Sequence, residues 1–350
     1  MIVTNQKKII AVDGMGGDYA PKAVFNGLAR FCCCSDLHFI IFGNKEILEK
    51  HMSLLPKDLS YEIRHTDVIV TPDMEVISAL RTGKKSSMGM AIQAVQSKEA
   101  NAVVSSGNTG LYMALSKIIL GTIEGIERPA IASVIPTKNT NTVCIDLGAN
   151  AESDVKNLVD FAIMGEALAR SVFNKENIKL ALLNIGSEDS KGSRLIKKTS
   201  EILKKLFDNY VGFVEGDYIF KANVDVIVTD GFTGNVSLKT IEGTANYIVS
   251  ELKNAFSCSL FAKIGALLAS SALIQLKKKI DPRLYNGAIL VGLNGVVVKS
   301  HGGSDDIGFS NAVKFTINIL KNNIFDRIRE QLEKSKLHYI LSDYCEGKLQ

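Results

Sequence analysis

The chain has 350 residues, of which 46% are hydrophobic and 22% charged, and its formal net charge at pH 7 is +4. This balance is that of a globular protein with a large buried core, and it excludes disorder over most of the chain. The positive charge is too weak for a dedicated nucleic-acid-binding protein, so we expect no nucleic-acid partner.

Short apolar runs alternate with segments of helical periodicity along most of the chain. The predicted strands are Ile9–Val12, Phe39–Phe42, Tyr61–His65, Ala102–Ser105, Ile131–Ile135, Thr142–Ile145, Leu180–Leu183, Asp225–Thr229, Ala288–Val291 and Val296–Lys299. The predicted helices are Lys22–Cys33, Met88–Ser97, Leu111–Leu120, Val155–Phe173, Ser193–Leu206 and Val236–Leu252. Strand–helix alternation, with consecutive Val and Ile residues in the strands, predicts an α/β fold of three αβα layers around a mostly parallel sheet.

The ends of the chain and its cysteines indicate a compartment and a domain organisation. The polar N-terminus lacks the apolar region of a signal peptide, and residues 264–276 are too short to span a bilayer, so we expect a cytoplasmic protein. The six cysteines do not follow zinc-site spacing and are expected to be reduced thiols. No Pro/Gly/Ser linker divides the chain, which predicts one continuous unit over residues 1–338 with two interleaved lobes and a loosely held tail at 339–350.

Three glycine-rich turns each follow a predicted strand and precede a predicted helix. We call them turn one (Asp13–Asp18), turn two (Ser105–Gly110) and turn three (Asp230–Asn235). Their candidate phosphate- or substrate-binding residues are Asp13, Gly14, Gly16, Gly17, Asp18, Ser106, Gly107, Asn108, Thr109, Gly110, Asp230, Gly231, Thr233 and Gly234.

These turns have the chemistry of an anion site. Glycine allows close approach of the backbone, and the helix that follows offers free N–H groups and the positive end of its dipole. Turns of this kind are expected to meet at the carboxyl edge of a parallel sheet, where ligands bind, although each glycine could serve turn geometry alone. None ends in Gly-Lys-Ser/Thr and none reads Gly-x-Gly-x-x-Gly, which argues against a P-loop nucleotidase and leaves a dinucleotide site unsupported.

Two further segments carry reactive side chains. Lys191, in the glycine-flanked segment Leu183–Gly192, could hold phosphate or an oxyanion, or be an ordinary surface lysine. His301 lies in the glycine-rich stretch 299–304 and could line the site or be structural. No Gly-x-Ser-x-Gly nucleophile elbow and no metal-type histidine pair occur, so direct attack by a bound anion is favoured over a covalent intermediate.

Several segments together resemble one known family. They are Val12–Pro21, Ser106–Gly110, Glu127–Ala130, Asp146–Asn150, Leu182–Gly192, Gly212–Asp217, Asp230–Asn235 with Leu238–Thr240, Tyr285–Gly292 and Lys299–Gly303. The chain resembles the PlsX family of bacterial phosphate acyltransferases of phospholipid synthesis over residues 9 to 330. The resemblance implies an isocitrate/isopropylmalate-dehydrogenase-like fold and a homodimer without metal or organic cofactor.

The resemblance also implies a reaction. An acyl group would pass from acyl carrier protein to inorganic phosphate, and the acyl-phosphate would feed a membrane glycerol-3-phosphate acyltransferase. Lys191 and Asn235 fall at the positions that it marks as catalytic. The alternatives are a phosphotransacetylase that uses acyl-CoA, an NAD-dependent dehydrogenase, for which we see no acidic metal set beyond Asp305-Asp306, and a non-catalytic anion-binding protein.

Apolar residues recur at helical spacing between Leu252 and Leu276, flanked by lysines. We call Leu260, Phe261, Ile264, Leu267 and Leu268 the tip residues. A basic amphipathic segment of this kind can lie on an anionic bilayer, but it can equally bury its apolar face in a core or a dimer interface. The family resemblance favours peripheral contact with the inner face of the cell membrane.

Overall fold

The computed structural model describes residues 7–32, 34–70, 81–138, 140–221, 223–281, 283, 286–322 and 324–334. The predicted tail at 339–350 and the last residues of the predicted single unit lie outside these ranges. So does Cys33, at which the first predicted helix was expected to end.

The strands of the described residues form one sheet. They are β1 (Lys8–Asp13), β2 (Leu37–Gly43), β3 (Tyr61–His65), β4 (Ala102–Ser105), β5 (Ala130–Pro136), β6 (Asn141–Ile145), β7 (Leu180–Leu183), β8 (Tyr210–Val214), β9 (Val226–Val228), β10 (Ala288–Val291) and β11 (Val296–Lys299). Their order in the sheet is β3-β2-β1-β4-β11-β10-β5-β6-β9-β7-β8. After β9 the chain therefore returns to the half of the sheet in which it began.

The sheet is mostly parallel, as expected, but it contains three antiparallel pairings, of β11 with β10, β10 with β5 and β5 with β6. Three reversals leave the strands on the two sides of this centre pointing in opposite directions. Strands β3, β2, β1, β4 and β11 are mutually parallel, and so are β6, β9, β7 and β8. The carboxyl ends of the two groups consequently lie at opposite edges of the sheet.

Helices cover both faces. They are α1 (Lys22–Leu28), α2 (Lys45–Glu49), α3 (Ser87–Gln96), α4 (Thr109–Leu120), α5 (Val155–Phe173), α6 (Arg194–Leu206), α7 (Gly231–Ser257), α8 (Leu260–Leu268), α9 (Ser270–Ile280), α10 (Asp306–Lys321) and α11 (Ile324–Lys334). Alternate residues of β1 serve the two faces: Ile10 and Val12 belong to the core under α1, α5, α6, α10 and α11, whereas Ala11 belongs to the core under α3 and α4. The predicted three-layer αβα architecture is confirmed.

Some elements were not predicted from the sequence. Strand β8 lies at the edge of the sheet, is only partly buried and contains Gly212 at φ +97°, so its apolar signal is weak. Helix α10 includes Gly308, Ser310 and Thr316 on its buried face, and these small and polar residues mask its periodicity. The first predicted helix is shorter than expected, because α1 ends at Leu28 and passes into a 3₁₀ turn, Ala29–Phe31.

Helix α7 leaves the body of the protein after its first turns. It has 27 residues, a length of about 40 Å, yet only Gly231 and Gly234 are buried. We call residues 243–276, which contain the rest of α7, all of α8 and most of α9, the arm. No helix in the described part of the chain is long and apolar enough to cross a membrane.

Candidate functional site

Turns one and two meet, together with the turn after β11, at the carboxyl ends of three adjacent parallel strands. We call this group the first cluster. A Cβ on Gly16 would lie 2.8 Å from the backbone nitrogen of Gly107, and one on Gly17, at φ +106°, would lie 2.8 Å from Cβ of Ser106. Asp18 N–H donates to the Gly302 carbonyl over 2.9 Å and links the turns. Only glycine permits this approach of one backbone to another.

The buried side chain of Asp13 stabilises the first cluster through hydrogen bonds. Its carboxylate is 1% exposed and accepts hydrogen bonds of 2.6 Å from the hydroxyls of Ser87 and Ser105, and one of 3.2 Å from Met15 N–H. Gly14 is also buried, and its N–H donates to the Phe42 carbonyl. These two predicted binding residues therefore shape turn one rather than face a ligand.

The remaining predicted residues of turn two are open to solvent. Asn108 caps α4 by accepting from Leu111 N–H over 3.1 Å, and Thr109 and Gly110 form the exposed first turn of that helix. A Cβ on Gly110 would meet nothing closer than 3.5 Å, so its role is not steric. The start of α4 presents free N–H groups and a positive dipole end.

Lys299 is a residue of the first cluster that we did not predict as a site residue. It ends the otherwise apolar strand β11, is 8% exposed, and donates from Nζ to the Ser300 carbonyl. Burial lowers its pKa to about 8, although the carboxylates of Asp13 and Asp18 oppose the shift. A charged residue that closes an apolar strand just before a glycine-rich turn is the signal that could have revealed it.

His301 lies beside Lys299 and keeps an exposed surface. Its ring nitrogen Nδ1 accepts a hydrogen bond of 3.1 Å from Gly303 N–H. Partial burial lowers the pKa of His301, and the positive charge of Lys239, on α7, lowers it further. The imidazole is therefore neutral near pH 7, with its proton on Nε2.

Turn three belongs to a second cluster, at the carboxyl ends of β6, β9 and β7, which are also adjacent and parallel. Asp230 caps α7 by accepting from Thr233 N–H over 2.8 Å and from its hydroxyl over 2.7 Å. A Cβ on Gly231 would lie 2.3 Å from the Asn150 carbonyl, and one on Gly234 would lie 1.9 Å from the Asp146 carbonyl. Turn three is thus pressed against the segment 146–150.

Asp146 is the counterpart of Asp13 in the second cluster. It is fully buried and accepts hydrogen bonds of 2.9 Å from the N–H groups of Ile131, Ala149 and Asn150. Burial raises its pKa, and these hydrogen bonds oppose the rise. Its side chain holds the 146–150 segment in the shape against which turn three packs. The family resemblance marked the segment but not this role of Asp146.

The predicted catalytic residues Lys191 and Asn235 both belong to the second cluster. Lys191 is exposed at the end of the turn after β7, and its carbonyl accepts from Asn184 Nδ2 over 3.4 Å. Asn235 is exposed in the first turns of α7, with its side chain 3.1–3.3 Å from the position of a Cβ on Gly148. The turns that carry the two residues follow neighbouring strands, β7 and β9, and both side chains are accessible.

The expectation that all three glycine turns share one edge of the sheet is wrong. Turns one and two lie at one edge and turn three at the other, because the three antiparallel pairings reverse the strand direction between them. Helix α7 links the clusters instead. Asn235, Lys239 and Glu242 are spaced to share one face of α7, about 6 Å apart for the first pair. Lys239 is close enough for its charge to lower the pKa of Lys299 and His301.

The described residues include no group of three or more His, Cys, Asp or Glu side chains placed to hold a metal ion. The predicted tip residues lie far along the chain from both clusters, on α8. They are between 48% and 86% exposed, which excludes a core of this chain as their destination. The arm and the two clusters are therefore separate features of the molecule.

The fold occurs in other solved structures, and the sequence matches a known family. A phosphotransacetylase from Streptococcus pyogenes shares this fold with a TM-score of 0.58 at 18% identity, over 90% of this chain and 94% of that one. Residues 8–327 match the family described as "Fatty acid synthesis protein". The chain belongs to that family.

Two relatives in the family carry the same name. The phosphate acyltransferase of Rhodospirillum rubrum is 46% identical over 336 residues, which is 93% of this chain and 95% of the relative. The phosphate acyltransferase of Pelagibacter ubique is 43% identical over 327 residues, 92% of this chain and 98% of the relative. The resemblance drawn from the sequence segments is confirmed.

Proposed function

We propose that this enzyme is a phosphate acyltransferase that moves a fatty acyl group from the thioester of acyl carrier protein onto inorganic phosphate. Its products are acyl-phosphate and free carrier protein, and the reaction opens bacterial phospholipid synthesis. The family and its named members support the reaction type. The observation that carries the proposal is that helix α7 connects two groups of anion-type turns, because it begins in turn three and its Lys239 acts on the charge of Lys299 and His301 in the first cluster.

The reaction needs no covalent intermediate between the acyl group and the protein. An oxygen of hydrogen phosphate attacks the carbonyl carbon of the thioester, and a C–O bond forms as the C–S bond breaks. The sulfur leaves as the thiolate of the carrier's prosthetic arm and takes the proton that hydrogen phosphate loses. The protein contributes orientation of the two substrates and stabilisation of negative charge on the carbonyl oxygen.

Lys191 and Asn235 fit that second task. Both are exposed at the second cluster, and they supply an ammonium group and an amide N–H₂ group. A fixed donor to a developing oxyanion contributes about 3 kcal/mol to the transition state. The glycine turns of the first cluster and the first turn of α4 supply backbone N–H groups to phosphate.

The test of Lys191 is its replacement by Ala. We expect turnover of acyl carrier thioester with phosphate to fall about 100- to 1000-fold, because one charged donor to the transition state is lost. The melting temperature should not change, since Lys191 is exposed. Lys205→Ala, an exposed lysine of α6 away from the clusters, is the matched control and should retain normal turnover. Activity of Lys191→Ala within twofold of the parent would make it an ordinary surface lysine.

A second candidate is a phosphotransacetylase-like reaction with acyl-CoA. The shared fold favours it, because the S. pyogenes phosphotransacetylase covers 90% of this chain. The two are separated by measuring acyl-phosphate formation from long-chain acyl carrier protein, long-chain acyl-CoA and acetyl-CoA, without added metal or NAD. We expect kcat/KM to be highest for the carrier thioester. Turnover only with NAD and a divalent metal would contradict both candidates.

The assembly and location belong to the same proposal. We infer a cytoplasmic homodimer that works without cofactor and rests peripherally on the inner face of the cell membrane, near a membrane glycerol-3-phosphate acyltransferase that consumes its product. The exposed tip residues on α8, next to the basic flank at Lys253 and Lys263, support contact with anionic lipid. Such a position would deliver a reactive, lipid-like product directly to the bilayer.

A further inference from the structure

The turn that carries His301 is held by one side chain, that of Asn286. Asn286 Oδ1 accepts from His301 N–H over 3.0 Å. Its Nδ2 donates to the hydroxyls of Ser300 and Ser304, each over 2.9 Å. Both amide hydrogens and the amide oxygen are therefore used, and the two hydroxyls are themselves 3.1 Å apart. Only an amide can accept from one group and donate to two others in this way.

A second contact sets the state of the imidazole ring. Gly303 N–H donates to Nδ1, so the proton of the neutral ring is on Nε2. Burial lowers the pKa of His301, and Lys239 and Lys299 lower it further, which disfavours the doubly protonated ring, while Glu242 and Asp18 oppose the shift. Within the described parts of the chain, no group accepts from Nε2. The ring is thus a fixed donor, anchored at its backbone and at Nδ1, with Nε2–H left for a ligand.

The surroundings select an anion as that ligand. Lys299 and Lys239 both lie near enough to the ring to act on its charge, although Lys239 Nζ also donates to Glu242 Oε2 over 2.7 Å. Lys239 lies one turn of α7 beyond Asn235, which belongs to the other cluster. A ligand that contacts His301 therefore lies near the face of α7 that carries Lys239 and Asn235. We propose that His301 donates a hydrogen bond from Nε2 to an oxygen of the bound inorganic phosphate, and that Asn286 positions it. This inference rests on the proposed function.

The test is a set of steady-state measurements on four variants. His301→Ala should raise KM for phosphate about 10- to 100-fold, the usual effect of losing a hydrogen bond to a charged group. His301→Gln keeps an N–H donor and should recover part of that loss. Asn286→Ala should raise KM for phosphate about 10-fold, and in the His301→Ala background it should add less than about twofold, because it acts through the missing ring.

The matched control is Asn294→Ala. Asn294 lies in the turn at the other end of β10 and β11, where its Nδ2 donates to the Thr122 and Leu120 carbonyls over 2.7 and 3.4 Å. This variant loses comparable loop contacts, so it should lower the melting temperature to a similar degree and leave KM for phosphate unchanged. If Asn286→Ala changes KM by the same factor with and without His301, Asn286 is only a structural residue and its positioning role is overturned.

Other outcomes of these measurements show which ligand His301 contacts. If His301→Ala raises KM for the acyl carrier but not for phosphate, the donor faces the carrier's phosphodiester and the assignment to inorganic phosphate is overturned. If the unmodified protein forms no acyl-phosphate, the proposed function fails, and the rise in melting temperature with added phosphate then tests His301 alone. A rise that His301→Ala abolishes supports the inference, and an equal rise in both proteins overturns it.

Discussion

Gly234 is the position at which the structure makes the sharpest prediction. A Cβ on this residue would lie 1.9 Å from the carbonyl oxygen of Asp146 and 2.9 Å from Cγ2 of Thr229. The carbonyl belongs to the backbone of the segment against which turn three packs, so no side-chain rotation can relieve the overlap. The Gly234→Ala variant must therefore move the start of α7 away from Asp146 by roughly 1.5 Å to reach ordinary contact distance.

Two consequences follow from that displacement. Overpacking of a buried site costs about 1–3 kcal/mol of folding free energy, so Gly234→Ala should lower the melting temperature. The next residue is Asn235, and a misplacement of about 1 Å in a catalytic group costs about 100-fold in rate. We expect kcat for acyl-phosphate formation to fall at least that far, because the helix that carries Asn235 moves as a unit.

The control is the same substitution on the same helix. A Cβ on Gly243 meets nothing within 4 Å, so Gly243→Ala introduces no overlap and gains up to about 1 kcal/mol of helix propensity. It should melt at the same or a higher temperature with normal turnover. The assay is phosphate-dependent acyl-phosphate formation together with thermal unfolding of both variants. Wild-type turnover by folded Gly234→Ala would refute the view that turn three positions a catalytic residue.

Three further predictions concern Asn235, Lys299 and the arm. Asn235→Ala should lower kcat about 10- to 100-fold and leave the melting temperature unchanged. The control is Asn246→Ala, at an exposed position of the same helix, which should change neither kcat nor the melting temperature. Equal kinetics for the two variants would mean that turn three is only a tight connection. Lys299 has a pKa of about 8, so its side chain is charged below that pH and neutral above it. KM for phosphate should therefore rise between pH 7 and 9, and Lys299→Met should abolish this pH dependence. Liposomes with anionic lipid should co-sediment the protein at low salt and less at high salt, and Leu260→Glu and Phe261→Glu should prevent this while the dimer survives. Binding that is absent, or indifferent to both salt and these changes, would assign the tip to a dimer interface.

The class of fold and the chemistry of the turns could be predicted from the amino-acid sequence. Alternating apolar runs and helical segments predict a layered α/β protein, because the period at which apolar residues recur distinguishes a strand buried on both faces from a helix buried on one. The turns can be predicted from their glycine, Asp and Asn residues, because each of these residue types has a local conformational role. Segments of this kind also sufficed to identify the family.

Which turns meet could not be predicted from the sequence. Strand direction depends on pairing between residues far apart in the chain, and the antiparallel pairings around β10 and β5 separate turn three from turns one and two. The same long-range packing turns Asp13 inward and buries Lys299, whose pKa depends on groups brought near it by folding. The sequence gives the type of each residue, but burial, charge state and neighbours depend on long-range contacts that no local sequence pattern specifies.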